Sequence, residues 1–193
     1  MPRILGHAER RHANLYDALR LLRAEPPLAS VASVRLFGNT HIGMKTWTNL
    51  QVGGRLTCDQ GFWIQNWYAR TNVVQDGDAH RAFEEWANTS TVTMYVGDKP
   101  HRMLSVYDLL RRRQWIPEIR LGAEMEKGEH LLHQLDLEHG SYGVPVPDRQ
   151  WFSMTVENDM RAAGKMLELL RRDIAPEAAV WFHVEGFMER DHA

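Results

Sequence analysis

The sequence predicts a mainly β protein, a sandwich of short strands with an N-terminal amphipathic helix and further helices inserted between strands. Three observations lead there. From Ser30 onward the hydrophobic pattern takes period two and is broken repeatedly by turn residues. The stretch from Gln51 to Val73, QVGGRLTCDQGFWIQNWYARTNV, reads as strand, turn and aromatic-rich strand. Two short stretches, DAHRAFEEWA and NDMRAAGKMLELLRR, carry apolar residues at helical spacing instead.

In chain order, residues 3 to 24 come first. Leu5, Ala8, His12, Leu15, Tyr16, Leu19 and Leu22 fall on one side of a helix, and Arg10, Arg11, Asn14, Asp17 and Arg20 fall away from it. Pro26 and Pro27 stop that helix and form a stiff connector, so residues 1 to 27 read as a helical arm and residues 28 to 193 as a single β-sandwich domain. The arm has three possible seats: its own domain, a neighbouring subunit, or a nucleic acid or lipid surface.

Candidate strands follow at Ser33 to Phe37, Thr46 to Val52, Arg55 to Cys58, Phe62 to Thr71, Thr91 to Val96, Ile119 to Glu124, Leu131 to Leu137, Trp151 to Glu157 and Ala179 to Glu189. Gly53-Gly54 marks a tight hairpin and Gly97-Asp98-Lys99-Pro100 another turn. Within the aromatic strand, strict alternation puts Phe62, Ile64, Asn66 and Tyr68 on one side and Trp63, Gln65, Trp67 and Ala69 on the other. Large residues on both sides imply a strand covered on both faces, in a sandwich core or at a subunit contact. Helices are expected at Asp78 to Ala87 and at Asn158 to Arg172, the second opening on Asn/Asp capping chemistry. Ser105 to Arg113 (SVYDLLRRR) fits either a helix or a strand with a basic end.

Composition narrows the function classes. With 193 residues, 44% hydrophobic and 25% charged, the chain is long enough for one buried core and too apolar for general disorder. A formal net charge of -2 supplies no overall field toward DNA, RNA or an anionic membrane, so any such contact must be local. Cys58 is the single cysteine, which excludes an intrachain disulfide and a Cys-rich zinc site and fits a reducing cytoplasm. The N-terminus has no apolar run of secretory-signal type, and no stretch approaches the roughly 20 apolar residues of a membrane span. Seven Trp, nine Met and six Phe are many large anchors, which points to a large core or to a chain that assembles.

Catalytic and metal chemistry find little footing. Glu129, His130, His133 and His139 are the densest histidine group; His130 and His133 share a face on a helix but not on a strand, and the zincin spacing is missing. His183 and Glu185 alternate with Val180, Phe182 and Val184, so they share one face of a late strand, where a solvated contact is the ordinary reading of such a pair. Cys58 and Ser153 lack a local activating partner, and neither phosphate loop motif occurs. Arg111, Arg112 and Arg113 beside Trp115 are the candidate polyanion contact, and nucleic acid is possible but not favoured there. No cofactor is expected.

The order of an N-terminal amphipathic arm, many short strands, inserted helices and the closing strand AVWFHVEGFMERD resembles single jelly-roll coat, spike or vertex proteins of viruses, bacteriophages among them. The resemblance spans roughly residues 30 to 190 and lies in architecture, without a diagnostic motif. It implies a jelly-roll-like β-sandwich, assembly through sheet edges, loops and arms, no catalytic site, and a place in the virion after synthesis in the host cytoplasm. Self-association is expected through Leu15, Leu19, Leu22, Trp63 and Trp67. Two alternatives stand beside it: a non-catalytic module binding carbohydrate or protein through exposed Trp and Tyr, and a cupin-like metalloenzyme using histidines from separate strands.

Overall fold

A computed structural model of the protein describes residues 9–37, 47–48, 60–74, 76–114, 144–147, 151–172 and 177–190. Among these residues eight strands build two four-stranded antiparallel sheets. The first has the order β1 (Glu9–Arg20), β8 (Ala179–Arg190), β3 (Gln60–Thr71), β6 (Val144–Val146). The second has the order β2 (Ser33–Leu36), β7 (Phe152–Glu157), β4 (Thr91–Val96), β5 (Lys99–Ser105). Three helices interrupt the strands: α1 (Gly77–Thr89), α2 (Val106–Gln114) and α3 (Met160–Arg172). The protein is thus mainly β, in keeping with a β-sandwich.

The expected N-terminal helix is a strand. Glu9 to Arg20 pair residue by residue with Arg190 to Ala179, and this long-range ladder overrides the local helical spacing of the leucines. The same leucines also satisfy period two: Ala13, Leu15, Asp17 and Leu19 turn to the core side, while Asn14, Tyr16, Ala18 and Arg20 are less buried on the other. The chain leaves the sheet through a single 3-10 turn at Leu21–Arg23, and a second one at Leu28–Ser30 follows the proline pair. Leu21 and Leu28 are both buried in the common core, so the segment around the prolines lies against the body of the protein.

The aromatic strand β3 also departs from strict alternation. A β-bulge between Ile64 and Asn66 inserts Gln65, so Phe62 and Ile64 share the core side with Trp67 and Ala69, and Trp63, Asn66, Tyr68 and Arg70 share the other. Without the extra residue, either Phe62 and Ile64 or Trp67 and Ala69 would leave the core.

Strands β2, β4, β7 and β8 and helices α1 and α3 lie close to their expected spans. The ambiguous SVYDLLRRR segment is helix α2, with Ser105 at its start: the Ser105 hydroxyl accepts from the Asp108 backbone N–H at 3.0 Å and donates to the Asp108 carboxylate at 2.7 Å. Strands β5 and β6 were not expected. Of the strand expected at Thr46 to Val52, only Trp47 and Thr48 are described, and Thr48 bridges Asp17 of β1. The strands expected at Arg55 to Cys58, Ile119 to Glu124 and Leu131 to Leu137, the Gly53-Gly54 turn, and the His130/His133 group lie outside the described residues.

One apolar cluster joins the elements. Leu36, Val92, Met94, Val96, Phe152, Met154 and Val156 give the second sheet an apolar face, while Arg35, Thr91, Tyr95 and Glu157 lie on its opposite face. Helices α1 and α3 add Phe83, Trp86, Met166, Leu167 and Leu170 to the cluster. Asn158 ties this corner together: its side-chain carbonyl accepts from Trp86 Nε1 at 2.8 Å, and its amide donates to the Leu28 and Val31 carbonyls at 2.5 and 2.7 Å. The next residue, Asp159, caps α3 by accepting from the Arg161 and Ala162 backbone N–H groups. These backbone bonds, that to Ala162 foremost, hold its carboxyl below the ordinary aspartate value. At the end of β2, Asp17 Oδ2 accepts from the Phe37 N–H at 2.7 Å, and the Phe37 backbone has a left-handed φ of 60°.

Candidate functional site

The unusual surface is the outward face of the first sheet. Its residues come from β1, β8 and β3 in rows fixed by strand register: Asn14, Glu185 and Asn66 in one row, Tyr16, His183 and Tyr68 in the next, then Ala18, Trp181 and Arg70. Although they point away from the core, Tyr68 is only 3% exposed and His183 only 7%. Outward polar groups this well covered must be hydrogen-bonded to be tolerated.

They are. Tyr68 donates its hydroxyl hydrogen to Glu185 Oε1 at 2.7 Å, and the Asn14 amide donates to the Tyr68 oxygen at 3.1 Å and to Glu185 Oε1 at 3.2 Å. With its NH2 so directed, Asn14 presents its carbonyl oxygen to His183 Nδ1 at 3.2 Å, which makes Nδ1 the protonated nitrogen of the ring. Burial, with the Arg70 charge as the lesser cause, lowers the His183 pKa from 6.5 to about 4, so the imidazole is neutral at neutral pH. Burial, the hydrogen bond to Glu185 and the charge of Glu185 push the Tyr68 phenol up from 10.0 to about 12.

Rings complete the layer. The His183 imidazole stacks on Tyr68 with centroids 4.7 Å apart and planes 6° from parallel, and Tyr16 meets its ring at 5.6 Å. In the next row Ala18 is small, and Trp47 stacks with Trp181 at 5.7 Å and 7° beside it. The Arg20 guanidinium lies 4.6 Å over Trp47, and that of Arg70 lies 5.7 Å from the Tyr68 ring.

His183 and Glu185 share a face, as their alternation implies, but the groups that join them, Tyr68 and Asn14, are not among the residues the sequence pattern singles out. The signal for Tyr68 was masked by the bulge, and that for Asn14 by the helical reading of β1. The cluster contains an oriented neutral imidazole and a carboxylate, and its hydrogen bonds among the described residues join Asn14, Tyr68, His183 and Glu185 to one another. No group of three or more metal-ligating side chains occurs among the described residues.

Of the residues expected to mediate self-association, all but Trp63 sit elsewhere. Leu15, Leu19 and Trp67 are buried in the chain's own core and Leu22 packs against it, so this stripe does not form a surface for a neighbour. Trp63, on the outward face opposite Phe187, is half-buried. The arginine triplet lies in α2: Arg111 is exposed, with its guanidinium 5.5 Å from the Tyr107 ring, while the side chains of Arg112 and Arg113 are outside the described residues.

No protein-family model matches the sequence, and no curated protein or solved structure is significantly similar to it. Among the described residues no helix is long and apolar enough to cross a membrane.

Proposed function

We propose that the protein is an assembly-forming structural subunit built on a jelly roll, of the kind that coats virions and bacteriophage particles. The observation that carries this reading is the nesting of the strand pairs. β1 pairs with β8, β2 with β7, β3 with β6 and β4 with β5, which is the pairing of one long antiparallel hairpin. Rolling that hairpin adds β3 to β8 and β4 to β7, and the sheet orders 1-8-3-6 and 2-7-4-5 follow. These orders support the jelly-roll reading, and because double-sheet jelly rolls serve viral coats, lectins and cupins alike, that reading alone does not choose among them.

The interior weighs against the cupin-like alternative. Metal ligands there would have to point inward, whereas the core-side positions described on β3, β4, β7 and β8 are occupied mainly by Phe, Ile, Trp, Val and Met. The inward carboxylate of β1, Asp17, accepts backbone N–H bonds from Phe37 and Ala18. The recognition-module alternative draws on the half-buried Trp181, Trp63 and Tyr16 of the outward face.

Light scattering and negative-stain imaging of the purified chain test the reading. A symmetric oligomer or larger particle, with the chain recovered in the virion fraction of its host system, is expected. A monomer at all concentrations up to the millimolar range refutes assembly by the chain alone, and specific glycan retention by that monomer would favour the recognition module.

A further inference from the structure

We propose that the cluster of Asn14, Tyr68, His183 and Glu185 is an acid-sensitive latch that fastens the N-terminal strand β1 to the rest of the first sheet. β1 is the outer strand in the described order of that sheet, and among the described residues its partners are β8 and, at Asp17, the bridge to Thr48. Asn14 reaches past β8 to Tyr68 of β3, so the cluster links three strands by side chains where the main chain links only neighbours. All of its members lie on the face opposite the apolar core, so they can rearrange without emptying that core.

The charged and titratable groups facing His183 among the described residues are Tyr16 from β1, Tyr68 and Arg70 from β3, and Glu185 on its own strand. Protonation would set an imidazolium in a covered site near the Arg70 guanidinium, between rings and with its hydrogen-bonded nitrogen already engaged by Asn14. With β1 detached the imidazole regains water and its ordinary basicity. Sign and window follow from linkage: the value is about 4 in the fastened state against 6.5 when free, so the detached state binds more protons between these limits. Fastening is fully present above pH 6.5 and weakens as pH falls through 4.

Hydrogen exchange of the full chain, corrected for intrinsic rates, tests the latch. Between pH 7 and pH 4 the protection of β1 amides should fall at least about tenfold more than that of β4 and β7 in the second sheet. His183→Gln, a neutral residue that retains an amide donor for Asn14, should abolish that difference. Equal loosening of both sheets, or an undiminished difference in the variant, overturns the proposal. Should the variant fail to fold, the imidazole is followed by NMR in the native chain: titration near 4 together with β1 resonance changes supports the latch, and titration without them refutes it.

Discussion

Gly186 lies where two backbones meet, and replacing it with alanine should be among the most damaging small changes available in this protein. It faces the core from β8, paired with Ala13 on one side and Ile64 on the other, next to the bulge at Gln65. A Cβ built there would stand 1.8 Å from the Trp63 carbonyl oxygen, 2.8 Å from its carbonyl carbon and 3.1 Å from Phe62 Cζ. Phe62 could yield, but the nearest obstacle is main chain. Ordinary non-bonded contact requires β3 and β8 to part locally by more than about 1 Å, beyond the tolerance of the ladder hydrogen bonds. Losing one or two of these at about 1 kcal/mol each, with the strain of overpacking, gives a cost of roughly 2 to 4 kcal/mol. Gly164, inside α3, is the internal control: its nearest neighbour to a new Cβ is Ala29 Cβ at 3.9 Å, an ordinary contact. Gly164→Ala should therefore stabilise by about 0.5 to 1 kcal/mol through helix propensity. Urea denaturation of both variants beside the parent protein gives the two signs directly. A Gly186→Ala variant within about 0.5 kcal/mol of the parent would refute the close approach argued for β3 and β8.

Two further outcomes are expected. Asn158→Ala leaves the buried Trp86 indole N–H and the Leu28 and Val31 carbonyls without their partner, at about 1 to 3 kcal/mol for each buried group left unsatisfied; denaturant unfolding should show a loss of at least about 3 kcal/mol, and a loss under about 1 would mean that this corner is not held as described. Tyr68 has its phenol raised to about 12 in the folded chain against 10.0 outside it, so its contribution is complete below pH 10 and disappears as pH rises to 12. Stability measured from pH 9 to 12 should therefore fall more steeply in the parent than in Tyr68→Phe, and parallel curves would remove Tyr68 from the titrating network.

How much the sequence disclosed depended on whether an element's pattern is local. Helix α3 announces itself by Met166, Leu167 and Leu170 on one face and by Asp159 at its cap, and β4 and β7 by short apolar runs between turns. Strand β5 carries Lys99, Pro100, His101 and Arg102, which belong to an edge and read locally as a turn. Strand β6 has three residues, too few for any period to register. The outward cluster was half visible, because His183 and Glu185 are two apart on one strand, whereas Asn14 lies 171 residues from Glu185 and Tyr68 lies 117 from it. Such partners become neighbours only through register, which no window of sequence contains.

Register is also where the cluster acts on the fold. In the 12-residue ladder of β1 with β8, a slip of one residue would turn Asn14 and Tyr16 toward Val184 and Phe182's side of the sheet and Leu15 and Leu19 out of it, and burial alone forbids it. A slip of two residues is different. It keeps every side chain on its own face, and the apolar pattern of Ala13, Leu15 and Leu19 against Val180, Phe182 and Val184 distinguishes it only weakly. The polar and aromatic rows distinguish it sharply: Asn14 would leave Glu185, the ring of Tyr16 would leave His183, and Ala18 would no longer make room beside Trp181 for Trp47. Covered groups would then lack partners, at a cost of about 1 to 3 kcal/mol apiece. Apolar burial thus selects the face of the strand, and the outward cluster selects its position along the ladder.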